Sequence, residues 1–373
     1  MLVAIIGNSA QSILSFRASL VRRLIEQGHK VQAFAPDYTP RSRAAVTEMG
    51  VEPIDFRLQR SGTNPVADAW TIISLQWKLR RTRPDAVLCY FMKPAIYGTI
   101  AATLAGVPRR IVMLEGLGYG FAEDAGKLWH RRILASAMKA LLRFSLIRAD
   151  RTLVLNNEDR QFVTDDVGIP GRLVDNMGGI GVELDQFTPA PVREHAQVFA
   201  LAARLIAEKG VHQYVDAARE IKRYHSDATF LLLGEIDDNP TSLRTEDIAA
   251  WVAEGIVEWP GRVSDIQSWL KKCDVFVLPS YYREGVPRSI QEAMALGRAI
   301  VTTEHVGCRD TVEEGVNGYL IPTRNVDQLV KALTTLIGTP GLAIRMGAAS
   351  RQLAEKRFDA KRADELLIDL LTR

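Results

Sequence analysis

In the first half of the chain, short apolar-rich runs alternate with stretches long enough to hold a helix. The runs are LVAII, KVQAFA, VEPIDF, AVLCYF, RRIVML and RTLVLN. Strands that are nearly continuous in apolar residues are covered on both faces, unlike the alternating strands of a half-wet sheet. Parallel neighbours need long crossover connections, and SILSFRASLVRRLIEQ and NPVADAWTIISLQWKLRRT supply them with helical periodicity. The pattern dictates a parallel sheet with helices on both sides.

The alternation pauses at 175–191, DNMGGIGVELDQFTPAP, which is rich in Gly and Pro and has no period. It restarts with QVFALAA, ATFLLLG, GIVEW, DVFVLPS, AIVTT and NGYLIP. The expected architecture is α/β, with two Rossmann-like, doubly wound parallel-sheet domains at 1–185 and 192–355. Residues 356–373 should form a helix that crosses back to the first domain. A chain of 373 residues suits two domains, because single cores stop growing at about 250–300 residues. In such sheets ligands bind beyond the carboxyl ends of the strands, so a cleft between the two sheets is the expected site.

Composition narrows the class. Hydrophobic residues make up 47% and charged residues 24%, the balance of a soluble globular protein. The opening run MLVAII lacks a basic lead and is too short to span a bilayer, so a cytoplasmic location is expected. Cys89, Cys273 and Cys308 form no CxxC or zinc pattern and read as buried thiols in a reducing compartment. The acidic pairs at 165–166 and 237–238 read as loop or helix acids, and no metal is expected. Charge is uneven: residues 1–150 carry 21 Lys+Arg against 11 Asp+Glu, and residues 151–373 carry 26 against 33. The amino-terminal part should therefore face an anion, whether phosphate, nucleic acid or an acidic membrane.

The stretch YYREGVPRSIQEAM, 281–294, follows the apolar run DVFVLPS. Pro287 suits the first turn of a helix and Gly297 its stop, which predicts a helix over 287–296. Its amino end offers free N–H groups and a positive dipole end to an anion. Gly285 permits close backbone approach. Glu284 before the helix and Glu292 within it can each accept from paired sugar hydroxyls. Hydroxyls at both ends and phosphate between them describe a sugar nucleotide. The plain alternative is a solvated loop charge at 284 and an exposed helix residue at 292. AARLIAEKG, 202–210, adds Arg204 and Lys209 after another strand, a fork and a point charge suited to a diphosphate. Alone, each would read as a surface cation.

AARLIAEKG, FLLLGEID, WPGRVSDIQSWLKKCDVFVLPSYYREGVPRSIQEAMALGRAIVTT and GCRDTVEEGVNGYLIP together resemble the retaining glycosyltransferases of family 4, with the GT-B fold. Within that family the likeness is to the bacterial branch acting in capsule, O-antigen and N-glycan assembly. It covers essentially the whole chain and is densest over 197–325. Glu284 through Glu292 matches the family's E-x7-E motif. The resemblance implies that Glu284 contacts donor-sugar hydroxyls and Glu292 the ribose. It implies that Arg204 and Lys209 bind the donor diphosphate, that Gly285, Val286 and Pro287 line the sugar and phosphates, and that Arg262 and Val263 lie near uracil. It further implies a UDP-sugar co-substrate, no cofactor, and a lipid-diphosphate-linked saccharide acceptor of undecaprenyl type. The enzyme would work from the cytoplasmic side, peripheral on the inner face of the cell membrane, with no nucleic-acid partner.

The loop GNSAQSILSFR lacks G-x-G-x-x-G, against a dinucleotide site. In the resembling family this loop borders donor and acceptor, which assigns Gly7 to the donor and Asn8 and Ser9 to the acceptor. Arg17 reads either as an acceptor-phosphate ligand or as an exposed helical cation. Lys93 ends a strand where an acceptor diphosphate could sit. Glu115, Gly116 and Gly118 belong to another strand-end loop. Many family members carry His where Glu115 stands, so Glu115 either positions the acceptor or pairs with a nearby cation. Residues 127–148 hold six Lys/Arg and no acid among apolar residues. Lys127, Trp129, Arg131, Arg132, Lys139 and Arg143 are the expected contacts with an anionic bilayer, the alternative being a helix packed on the sheet with solvated cations. Two rivals stand beside the transferase: a sugar-nucleotide epimerase of the same fold, and a non-catalytic basic module binding membrane or nucleic acid.

Overall fold

The structure, a computed structural model, describes residues 1–59, 64–117, 129–236, 239 and 241–373, with side chains described throughout except at 129–135. The chain divides into two compact units. One comprises Met1–Ile180 and Ala360–Arg373, the other Gly181–Asp359.

The strands of the first unit are β1 (Leu2–Ile6), β2 (Lys30–Ala35), β3 (Glu52–Asp55), β4 (Ala86–Tyr90), β5 (Arg109–Leu114), β6 (Arg151–Val154) and β7 (Val174–Asn176). They form a parallel sheet in the order β3-β2-β1-β4-β5-β6-β7. The helices between them are α1 (Ala10–Phe16), α2 (Ala18–Glu26), α3 (Pro40–Glu48), α4 (Pro65–Thr82), α5 (Met92–Ala105), α6 (Trp129–Leu146) and α7 (Asn157–Gln161). Residues 86–90 are all buried, as a strand covered on both faces requires. Asn64 caps α4 by accepting from the backbone N–H groups of Val66 and Ala67, with Pro65 at the first helical position. One core cluster joins Leu75 and Leu79 of α4 to Val87 and Cys89 of β4.

The second unit holds β8 (Val198–Ala202), β9 (Thr229–Leu233), β10 (Glu258–Gly261), β11 (Val275–Leu278), β12 (Ala299–Thr303) and β13 (Gly318–Ile321). They form a parallel sheet in the order β10-β9-β8-β11-β12-β13. Its helices are α8 (Val211–Lys222), α9 (Thr245–Ala253), α10 (Ile266–Leu270), α11 (Arg288–Ala295), α12 (Val326–Gly338) and α13 (Leu342–Arg357). The final helix, α14 (Ala360–Thr372), belongs to the first unit, where Leu367, Ile368 and Leu371 are buried. Its Asp364 accepts from Ser19 at 2.5 Å and pairs with Arg23 at 3.3 Å.

Each sheet reverses its winding once, between β1 and β4 in the first unit and between β8 and β11 in the second. Loops leaving strands on either side of such a switch diverge to opposite faces and open a crevice at the carboxyl edge.

Candidate active site

In the second unit, the two loops flanking the switch carry the residues singled out above. The chain leaves β8 through Arg204 and a short turn, Ala207–Lys209, then enters α8 at Gly210 with φ +75°. A Cβ at Gly210 would run into the carbonyl of Pro279, so only glycine allows this turn to lie against the exit of β11. Tyr281 N–H donates to Glu208 O at 2.8 Å and ties the loops together.

The ammonium of Lys209 is thereby brought onto the carboxylate of Glu284. Ser280, fully buried, donates to the same carboxylate oxygen at 3.1 Å and accepts from Tyr282 N–H at 3.1 Å. The Tyr282 ring lies beneath both cations, 5.1 Å from Lys209 Nζ and 6.0 Å from Arg204 Cζ. Glu284 is 8% exposed, which overturns its reading as a solvated loop charge. Gly285 and Val286 are buried beside it. Gly307, with φ +76°, is held so close to the Gly285 carbonyl that a Cβ would collide with it.

Helix α11 begins at Arg288 with Pro287 as its cap, one position later than predicted. Glu292 accepts from Arg288 Nε at 2.9 Å, and only 13% of its side chain is exposed, so it is not an exposed helix residue. Arg262 follows β10, is half exposed and donates to Glu235 at 3.1 Å. Val263 is half-buried next to it. Cys308 is buried near Glu284 and Lys209. Burial, and secondarily the Glu284 charge, push its thiol up to about 12, so it stays protonated at neutral pH. Tyr282, Ser280 and Arg288 were not singled out from the sequence. The paired tyrosines at a strand exit and the i,i+4 spacing of Arg288 and Glu292 are the local signals for two of them.

The first unit has a polar cluster at its own switch. Gly7 follows β1, and a Cβ there would overlap the Tyr90 phenol. Asn8 follows it, half-buried, and Ser9 caps α1 by accepting from Ser12 N–H at 3.2 Å. Arg17, between α1 and α2, is 2% exposed, so its reading as an exposed cation is overturned. Its guanidinium pairs with Glu115 beyond β5, donates to the Met113 sulfur at 3.1 Å and lies 4.4 Å over the Tyr90 ring. Of the two readings of Glu115, the structure shows the cation partner. Tyr90 is pushed up to about 12 by burial, against the opposing charge of Arg17. Gly116 has φ +106°.

Lys93, in the first turn of α5, donates to Gln59 O at 2.7 Å and to Asp68 at 3.3 Å. The residue before this helix, Phe91, has φ +67° and ψ 159°, a backbone region that only glycine enters easily. Such a residue costs on the order of 1–3 kcal/mol and persists where surrounding structure enforces it, often at functional sites. Gly118 and Lys127 lie outside the described residues, as do the side chains of Trp129, Arg131 and Arg132. Lys139 pairs with Asp166 at 3.2 Å, and Arg143 donates to the carbonyls of Val167 and Gly168 at 2.8 Å, so both described Lys/Arg side chains of α6 have protein partners.

Two family models match the chain. The glycosyl transferase 4-like domain matches residues 15–175, and glycosyl transferases group 1 matches residues 196–339. The chain is a group 1 glycosyltransferase of the family 4 type. Among similar proteins is the N,N'-diacetylbacillosaminyl-diphospho-undecaprenol alpha-1,3-N-acetylgalactosaminyltransferase of Campylobacter jejuni, 25% identical over 99% of this chain and 96% of the relative. Another is the UDP-Gal:alpha-D-GlcNAc-diphosphoundecaprenol alpha-1,3-galactosyltransferase of Escherichia coli, 26% identical over 82% of this chain and 81% of the relative. Among solved structures, Anabaena HepE in complex with UDP-glucose superposes with a TM-score of 0.78 at 16% identity, covering 99% of this chain and 98% of that one. Sucrose-phosphate synthase of Thermosynechococcus elongatus gives the same TM-score at 17% identity, with the same coverage. This glycosyltransferase therefore has the GT-B fold, and its enzyme class is hexosyl transfer.

Proposed function

We propose that this glycosyltransferase moves a hexose or N-acetylhexosamine from a UDP-sugar to a lipid-diphosphate-linked saccharide, with retention at the anomeric carbon, in bacterial cell-surface glycan synthesis. The observation that carries this reading is the convergence of Arg204, Lys209 and Glu284 around Tyr282 at the β8/β11 switch. Two cations and a buried carboxylate at one strand edge match a diphosphate and a sugar hydroxyl. The two relatives that act on undecaprenol-diphosphate sugars support the acceptor class.

In the proposed step the bond from the anomeric carbon to the diphosphate breaks, and a bond to an acceptor hydroxyl forms on the same face. The hydroxyl proton passes to the leaving phosphate oxygen, and UDP departs. Arg204, Lys209 and the amino end of α11 stabilise the charge that grows on the leaving group. With Lys209 and Ser280 bound to it, Glu284 acts as a hydroxyl acceptor and positioning group. The cations carry the electrostatic load, so no cofactor or metal is assigned. Arg17 and Glu115 hold the first unit's strand edge, with Asn8, Ser9, Lys93 and Gly116, for the acceptor. The enzyme then works at the inner face of the membrane.

The test is a screen of UDP-sugars with short-chain lipid-diphosphate acceptors, read by mass spectrometry and repeated in EDTA. The expected result is a product heavier by one sugar, unchanged by chelation. Conversion of the UDP-sugar without acceptor would instead identify an epimerase.

A further inference from the structure

Helix α4 is apolar on two sides. Its inner face places Thr71, Leu75 and Leu79 in the core of the first unit. Its outer face exposes Val66 (67%), Trp70 (64%), Ile73 (53%) and Trp77 (61%). These four fall at i, i+4, i+7 and i+11, one stripe along about 16 Å of helix. Single exposed apolar residues are ordinary, but four in line, two of them tryptophans, mark a surface that something covers.

The charges around the stripe say what covers it. Lys78, Arg80, Arg81 and Arg83 cluster at its carboxyl end, and the Arg81 guanidinium sits 5.7 Å over the Trp77 ring. The one acid of the helix, Asp68, pairs with Lys93. Arg80 also donates to Leu104 O at 3.0 Å, next to another exposed apolar side chain. Tryptophan rings with arginines reaching past them are the chemistry of a lipid headgroup layer, where rings sit among the carbonyls and guanidinium groups meet phosphate. A second copy of this chain would bring the same cations, and the one acid of its helix, Asp68, is already engaged by Lys93. Among the described residues no helix is long and apolar enough to cross a membrane, so contact through this face is lateral.

We propose that the outer stripe of α4 is the surface by which the enzyme lies on an anionic bilayer, with Trp70 and Trp77 inserted at headgroup depth and Arg80, Arg81 and Arg83 on lipid phosphates. This moves the docking surface from α6, where the sequence reading put it, to α4. It rests on the reading that the acceptor is lipid-borne, but its test uses neither donor nor acceptor.

The experiment is flotation of the full chain with vesicles of phosphatidylglycerol and phosphatidylethanolamine, against vesicles of phosphatidylcholine alone. The wild type should float with the anionic vesicles and be released by salt. Trp70→Ser/Trp77→Ser should lower the bound fraction at least about tenfold, and Arg80→Ser/Arg81→Ser should abolish the preference for anionic lipid. Thermal midpoint and UDP affinity serve as folding controls, since both tryptophans are exposed and remote in sequence from the donor residues. Should Trp70→Ser/Trp77→Ser unfold, brominated phosphatidylglycerol replaces it: quenching of wild-type tryptophan fluorescence that is lost in a Trp70→Phe/Trp77→Phe variant supports the surface. Equal flotation by the folded serine variant overturns the proposal. So does a wild type that ignores vesicles but forms a dimer abolished by the same substitutions, which would make the stripe a self-association face. A transferase assay that fails while flotation behaves as described would count against the acceptor reading and leave this surface standing.

Discussion

Lys209→Met tests the centre of the proposed site on two independent scales. The substitution keeps most of the side-chain volume and removes the charge. It leaves Glu284, a carboxylate with 10% of its side chain exposed, without an ammonium that is itself only 12% exposed. Breaking a fully buried pair costs about 3–5 kcal/mol. The Ser280 hydroxyl stays on the carboxylate, and the residual exposure admits some water, so about 2–3 kcal/mol is expected here. Lys209→Met/Glu284→Gln should recover most of that loss, because no buried charge is then stranded. Catalysis should behave differently. Losing a cation aimed at the leaving diphosphate should cost about 10²–10³ in turnover, or about 2.7–4 kcal/mol, and the double variant should not recover it. The assay pairs urea unfolding with initial rates of UDP release at saturating donor and acceptor. Turnover of Lys209→Met within about threefold of wild type would refute the electrostatic role, whatever the stability did.

Two further outcomes can be checked. Arg17→Met should destabilise the first unit by about 3–5 kcal/mol, because Glu115 is then buried alone, and Arg17→Met/Glu115→Leu should restore much of the thermal midpoint; a fully stable single variant would show that the pair is not buried in solution. Cys308, with its thiol pushed up to about 12, should resist iodoacetamide in the native protein at pH 8, because the thiolate fraction grows only as pH approaches that value; mass spectrometry of native against denatured samples reads the difference.

The fold was legible because its strands are covered on both faces: nearly unbroken apolar runs such as AVLCYF admit few other settings. Arg204, Lys209 and Glu284 stood out because each follows closely on a strand exit, and Glu292 by its spacing from Glu284 on the next helix. Their partnerships did not. Lys209 and Glu284 are 75 residues apart, and Arg17 and Glu115 are 98 apart. Only the strand order brings such pairs to one edge. The exposed stripe of α4 was hidden for another reason. A helix apolar on two sides gives no single periodic cue to which side meets the core, whereas α6 advertises itself by charge although Leu142 and Leu146 bury one of its faces and its described cations Lys139 and Arg143 have protein partners.

Helix α14 carries a consequence for synthesis. Its Leu367, Ile368 and Leu371 complete the core of a unit whose sheet is encoded almost two hundred residues earlier. On the ribosome that unit must wait, with a greasy seam uncovered, until all of the other has been translated and residues 360–373 have cleared the exit tunnel. The unit that is begun first is thus the one that is finished last, and the second unit matures while its neighbour is still open.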